Sequence, residues 1–144
     1  MFRKIKRKLV KMFREFLVYH NKSLEFRAKI LTLMVASDND INPCEDKLLR
    51  AIANEIYDNS DRAELLVDTV YEYAVKIKTN NGLDFGHLIM LVERETRTVK
   101  RFEQKIDIEL LSRFSKCIDH EDDKIFNRRI IEFLENLKKE YGDT

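Results

Sequence analysis

Apolar residues recur every three or four positions along most of this chain, which is the period of an α-helix with one buried face. Between residues 24 and 37 they are dense enough to cover more than one face, so a nearly enclosed helix is expected there. The whole pattern predicts helices over residues 24–37, 43–57, 61–79, 85–106 (as one helix or two), 107–118 and 123–141.

Capping residues mark where these helices start. Asn42 precedes Pro43, which suits a first helical position, and Glu45 completes a capping box three residues after the Asn. The later caps are predicted to be aspartates, at Asp61, Asp84, Asp107 and either Asp122 or Asp123. With three Gly and one Pro in 144 residues, turn formers are too few for a sandwich or barrel. We therefore predict a single all-α domain of about seven helices.

The first 22 residues form a separate segment. Phe2, Ile5, Leu9 and Phe13 recur at helical spacing. The cations between them are Arg3, Lys4, Lys6, Arg7, Lys8, Lys11 and Arg14. This pattern predicts a basic amphipathic helix in residues 1–22, ahead of a main domain in residues 23–144. Three interpretations stay open: the apolar face docks on the domain core, the helix binds an anionic membrane surface, or the cations bind RNA or an acidic protein.

The rest of the chain has the opposite charge. Residues 34–144 contain 24 Asp and Glu against 17 Lys and Arg, although the whole chain carries only +1. Such an excess disfavours nucleic acid as a partner of the main domain. The longest stretches without a charged side chain are eight residues, far short of the ~20 apolar residues that span a bilayer.

Two segments share one plan: an apolar helix, a short acidic loop and a second apolar helix. They are residues 24–57, with a loop at 37–46, and residues 107–141, with a loop at 117–123. This internal echo indicates two similarly packed helix pairs bridged by the middle helices. Both acidic loops are therefore expected near one end of the domain.

These loops are rich in oxygen ligands. Asp38, Asp40 and Glu45 would suit a hard cation such as Ca²⁺ or Mg²⁺, with help from Asp119 or Glu121 of the second loop. The structural alternative is that the aspartates shape a turn while Glu45 caps the next helix. In the second loop a cation or a basic partner would relieve repulsion among the carboxylates, and a solvated turn is the alternative.

Two familiar metal sites fit poorly. An EF-hand is excluded because Pro43 and Leu49 occupy the positions where that loop needs Gly and a bidentate Glu. Zinc at Cys117 and His120 would need further ligands, such as Cys44 from the echoed loop.

The two cysteines are expected to be free thiols in a cytoplasmic protein, because no apolar secretory segment follows the basic N-terminus. The sequence contains no Ser-His-Asp arrangement, Gly-rich phosphate loop or His-Glu-x-x-His motif. We therefore predict that the protein is not an enzyme.

One stretch carries a family resemblance: residues 33–45, LMVASDNDINPCE, followed by Leu48, Leu49 and Ile52. It resembles the tellurite-resistance TerB-like family, whose signature is an apolar helix ending in a small residue, Asp-Gly, an acidic residue, Ile, a cap, and a Glu seven positions after the Asp. Asp38, Asp40 and Glu45 match this signature, and Asn39 replaces the Gly.

The resemblance covers roughly residues 24–141. The loop at Asp119 is similar to a degenerate second copy, with His120 at the Gly position and Phe126 at the Glu position. The resemblance implies an all-helical fold, a divalent-cation site at the acidic loops and a stress-response role, often at the cytoplasmic membrane face. The family has no settled enzymatic activity. A related domain occurs in a membrane-anchored DnaJ-like co-chaperone, but this chain lacks the His-Pro-Asp tripeptide.

We therefore expect a non-catalytic, stress-associated interaction module with a protein partner and a Ca²⁺ or Mg²⁺ site formed by Asp38, Asp40, Glu45, Asp119 and Glu121. One alternative is a peripheral adaptor at the inner membrane face, acting through the basic helix. Another alternative is a metal-dependent hydrolase.

Overall fold

The structure is a computed structural model that describes residues 22–36 and 40–142. Within those two ranges it has six α-helices, two short 3₁₀ helices and no β-strand. The α-helices are α1 Lys22–Val35, α2 Pro43–Ile56, α3 Ser60–Lys78, α4 Phe85–Thr98, α5 Ile108–Ser112 and α6 Glu121–Tyr141, and the 3₁₀ helices are η1 Lys100–Lys105 and η2 Arg113–Cys117. The predicted all-α fold is confirmed. The predicted basic helix lies outside the described residues, apart from Lys22.

Two predicted helices are divided in the structure. The stretch 85–106, predicted as one helix or two, breaks at Val99, whose extended backbone separates α4 from η1. The predicted helix over 107–118 becomes the short α5 followed directly by η2. As a result, the second helix pair begins with a short α-helix and a 3₁₀ helix, whereas the first pair begins with the continuous helix α1.

Three of the predicted caps are confirmed. The Asn42 side chain accepts a 2.8 Å hydrogen bond from the Glu45 backbone N–H, and the Glu45 carboxylate accepts a 3.0 Å bond from the Asn42 N–H. These reciprocal bonds form the predicted capping box at the start of α2. Asp84 caps α4, and Asp107 caps α5.

Two other predicted caps are wrong. Asn59 caps α3 by accepting a 3.1 Å hydrogen bond from the Arg62 N–H, which leaves Asp61 inside the first turn. Helix α6 starts after His120, which makes no side-chain capping bond, so Asp122 and Asp123 also lie in a first turn. Carboxylates there complement the helix dipole without capping, which explains why the sequence pattern did not separate the two roles.

Helix α1 forms the centre of the hydrophobic core. It packs against α3, α4, η1 and α6. Its buried residues are Leu24, Phe26, Ala28, Ile30, Leu31, Thr32, Leu33, Met34 and Val35, in agreement with the predicted enclosed helix. The ring of Phe26 stacks on Phe102 of η1 with centroids 4.5 Å apart. Among the described helices, none is both long and apolar enough to cross a membrane.

Candidate functional site

The two acidic loops meet at a disulfide bond between Cys44 and Cys117. Cys44 is in the first turn of α2 and Cys117 ends η2, and their Cα atoms lie 5.5 Å apart. Beside the disulfide, the Asn42 side-chain amide donates a 3.2 Å hydrogen bond to the Cys117 backbone carbonyl. The expectation that both loops lie at one end of the domain is therefore confirmed.

The expectation of free thiols is wrong, because both cysteine sulfurs are in this disulfide. The pairing was hidden because 73 positions separate the two residues and only the packed helix pairs bring them together. No thiolate remains for the zinc interpretation. A disulfide also fits poorly with the expected cytoplasmic location, because disulfides are rare in a reducing cytosol.

The residues expected to bind a cation at the first loop have other partners. Glu45 is 2% exposed and holds the capping box. Asp40 is exposed and pairs with the Lys78 ammonium group at the end of α3. Asp38 lies outside the described residues. In the part of the chain that the structure describes, no three His, Cys, Asp or Glu side chains are grouped so that they could hold a metal ion.

Asp46, also from the first loop region, fastens α2 to α3. Its carboxylate accepts hydrogen bonds from the Tyr71 hydroxyl and from Arg50. The hydrogen bond from Tyr71, followed by that from Arg50, holds the pKa of Asp46 below its usual value. Burial raises the pKa of Tyr71 to about 12, with a further contribution from its hydrogen bond to Asp46. This cluster has a structural role.

The second loop presents its carboxylates to solvent. Asp119, Glu121 and Asp122 are exposed and Asp123 is half-buried. None of the four forms an ion pair or a side-chain hydrogen bond with another described residue. We name these four residues the acidic turn. It begins two residues after Cys117, so the disulfide fixes one end of it while α6 continues from the other.

A second feature adjoins the acidic turn and was missed by the sequence analysis. A groove of about 540 Å³ runs between η2 and α6, and it is lined by Ser112, Ser115, Lys116, Lys124, Asn127, Arg128 and Ile131. We name these seven residues the cationic groove. The lining contains three cations and no carboxylate, although residues 34–144 as a whole are acidic.

One sequence signal could have indicated this groove. The buried residues of α6 are Asn127, Ile130, Leu134 and Leu137, so an amide occupies the first position of an otherwise apolar stripe. Lys124 and Arg128 are four residues apart and therefore lie on one side of the helix, next to that amide. A polar side chain among buried apolar residues needs a hydrogen-bond partner or contact with solvent.

Comparison of the chain with protein-family models, curated proteins and solved structures finds no match in any of the three. The TerB-like resemblance therefore stays a prediction based on the loop motif.

Proposed function

We propose that this protein is a non-catalytic interaction module of the TerB-like type, which binds a basic protein partner at the acidic turn. One observation supports this most: the Cys44–Cys117 disulfide anchors the acidic turn to the rest of the domain, and the four carboxylates of the turn have no cationic partner among the described residues. Unpaired exposed carboxylates attract a basic surface over a distance of about 8 Å at physiological ionic strength.

The rigid attachment of the acidic turn should increase its affinity for a partner. The Cys44–Cys117 disulfide and the Asn42 hydrogen bond join the start of the turn to helix α2, and α6 continues from its other end. A turn held at both ends loses less conformational entropy when a partner binds. The same turn on a loose loop would give a weaker and less specific contact.

A resident divalent cation has less support than a protein partner. The capping box engages the carboxylate of Glu45, and Asp40 forms an ion pair with Lys78. A cation at Asp119 and Glu121 would therefore have to bind without the expected ligands of the first loop, except Asp38, which lies outside the described residues. We assign the acidic turn to a basic protein partner for this reason.

Charge removal with a matched control tests the proposal. The test variant is Asp119→Asn/Glu121→Gln/Asp122→Asn, and the control is Glu132→Gln/Glu135→Gln/Glu140→Gln, which neutralises three exposed carboxylates farther along α6. Proteins captured from a native extract are quantified by mass spectrometry with each variant. We expect a basic protein to be retained by the wild type and the control and lost from the test variant. Equal capture by both variants would contradict the proposal.

Two further arms address the competing hypotheses. Calorimetric titration with Ca²⁺ and Mg²⁺ should give no saturable heat, and a saturable heat that Asp40→Asn abolishes would favour the cation site instead. Anionic liposomes test the adaptor hypothesis, which rests on residues outside the described part. Salt-sensitive sedimentation that is lost when the cations of residues 3–14 are exchanged for Glu would favour the membrane adaptor.

A further inference from the structure

The cationic groove brings cations from two helices together on one concave surface. Lys116 of η2 and Lys124 and Arg128 of α6 line it together. None of these three cations forms an ion pair or a hydrogen bond with another described residue. The groove thus gathers three cations on one concave surface, next to the acidic turn of an otherwise acidic domain.

Asn127 is the second, independent observation. It is 6% exposed, it lines the groove, and its side-chain amide makes no hydrogen bond with another described residue. Its amide atoms reach solvent in the groove, because among the described residues Tyr57 Oη is the one fully buried polar side-chain atom without a hydrogen-bond partner. Ile130, Leu134 and Leu137 fill the equivalent positions along α6, so Asn127 is the polar member of this stripe, at the point where it lines the groove. Asn127 can therefore donate a hydrogen bond to a ligand in the groove, in place of water.

Hydroxyl groups complete the donor set. Ser112 and Ser115 line the opposite wall. The Ser115 hydroxyl donates a 2.9 Å hydrogen bond to the Ser112 carbonyl, whereas the Ser112 hydroxyl has no partner among the described residues. The groove therefore offers two ammonium groups, one guanidinium, one amide and one hydroxyl as donors. Ile131 adds an apolar surface at one side.

This donor set matches a phosphate group. A phosphate carries up to two negative charges and accepts hydrogen bonds from several directions, so cations on two facing helices can bind it together. The volume of about 540 Å³ exceeds that of a single phosphate and falls in the range typical of small-molecule sites. We propose that the cationic groove binds the phosphate group of a small ligand, with Lys124 and Arg128 as its main cations and Asn127 as an amide donor. This goes beyond the interaction at the acidic turn and does not depend on it.

Calorimetry at constant ionic strength tests this proposal on the full chain with its disulfide intact. The probes are inorganic phosphate, pyrophosphate and adenosine monophosphate, and citrate serves as a carboxylate of similar charge. We expect saturable binding of at least one phosphate probe and weaker or no binding of citrate. Tighter binding of adenosine monophosphate than of inorganic phosphate would identify a phosphate ester as the ligand, and the reverse order would identify free phosphate.

Variants distinguish specific binding in the groove from a general attraction of anions to positive charge. Lys124→Gln/Arg128→Gln should weaken binding about tenfold or more, since each removes a charge-assisted hydrogen bond. Arg129→Gln/Lys139→Gln makes the same charge change at exposed positions of α6 that do not line the groove, and it should leave affinity unchanged.

The Asn127→Leu variant distinguishes a ligand-binding role of Asn127 from a purely structural one. We expect weaker phosphate binding together with an unchanged or higher free energy of unfolding. The proposal is overturned if no phosphate probe binds saturably, if citrate binds as tightly as the phosphates, or if Arg129→Gln/Lys139→Gln weakens binding as much as the groove variant does. Unchanged binding in both groove variants would overturn it equally.

Discussion

Asn42 and Cys117 are 75 positions apart in the chain, yet the side-chain amide of Asn42 donates a hydrogen bond to the backbone carbonyl of Cys117. The same side chain accepts the capping bond that starts α2. A single residue thus connects the first helix pair to the second while it defines a helix terminus. The position of the acidic turn depends on this contact and on the adjacent disulfide.

Replacing Asn42 with Ala should lower the free energy of unfolding by about 2 kcal/mol, since both the cap and the contact between the loops are lost. Asn59→Ala is the matched control, because Asn59 caps α3 but has no bond to another loop. We expect a cost of about 1 kcal/mol there. Urea denaturation measures both values, and equal costs would show that the bond to Cys117 adds nothing.

Loss of the disulfide should also destabilise the domain. The bond closes a loop between residues 73 positions apart, so Cys44→Ser/Cys117→Ser should lower the free energy of unfolding by about 2–4 kcal/mol. Denaturation of the wild type with and without a thiol reductant provides an independent comparison. The reductant should destabilise the wild type and leave the double variant unchanged, and a wild type insensitive to reductant would contradict the disulfide.

The hydrogen bonds to Asp46 make the free energy of unfolding depend on pH in the acid range. Hydrogen bonds from Tyr71 and Arg50 lower the pKa of Asp46 in the folded state. Its stabilising contribution is therefore complete above the unfolded value, near 3.8, and is lost as the pH falls through the lower folded value. Tyr71→Phe should make the free energy of unfolding decrease less steeply between pH 5 and pH 2. Identical pH profiles for the two proteins would refute this role of Tyr71.

Two phenylalanines should respond differently to truncation. Phe26 is completely buried and stacks on Phe102, so Phe26→Ala should cost about 3–5 kcal/mol. Phe126 is 38% exposed and contacts only the ring of Phe85 among aromatic partners in the described part. We expect a cost of about 1 kcal/mol or less for Phe126→Ala. Thermal denaturation compares them, and similar losses would mean that α1 is not the centre of the core.

The features that the sequence predicted are the local ones. The capping box at Asn42 and the cap at Asp84 depend on residues three positions apart, and periodic apolar positions identified the enclosed helix α1. The caps of α3 and α6 were misplaced because an aspartate in the first turn and an aspartate at the cap have similar sequence patterns.

The features that the sequence missed depend on distant residues. The internal echo indicated that the two loops meet, but not that Cys44 and Cys117 approach closely enough to bond. The cationic groove combines Lys116 from one helix with Lys124 and Arg128 from another. Charge counts along the chain do not detect it, because carboxylates nearby in the sequence offset these cations. Only Asn127, as a polar residue in an apolar stripe, pointed to it locally.

The contact between the two loops is tested most directly by mapping the disulfide. The protein is purified without reductant, alkylated under denaturing conditions and digested with trypsin, which cleaves after Lys29, Lys47, Lys116 and Lys124. We predict that mass spectrometry detects residues 30–47 linked to residues 117–124 within one chain, and that this species disappears on reduction. Alkylated Cys44 and Cys117 in separate peptides, with no linked species, would contradict the fold in which the two helix pairs meet at their loops.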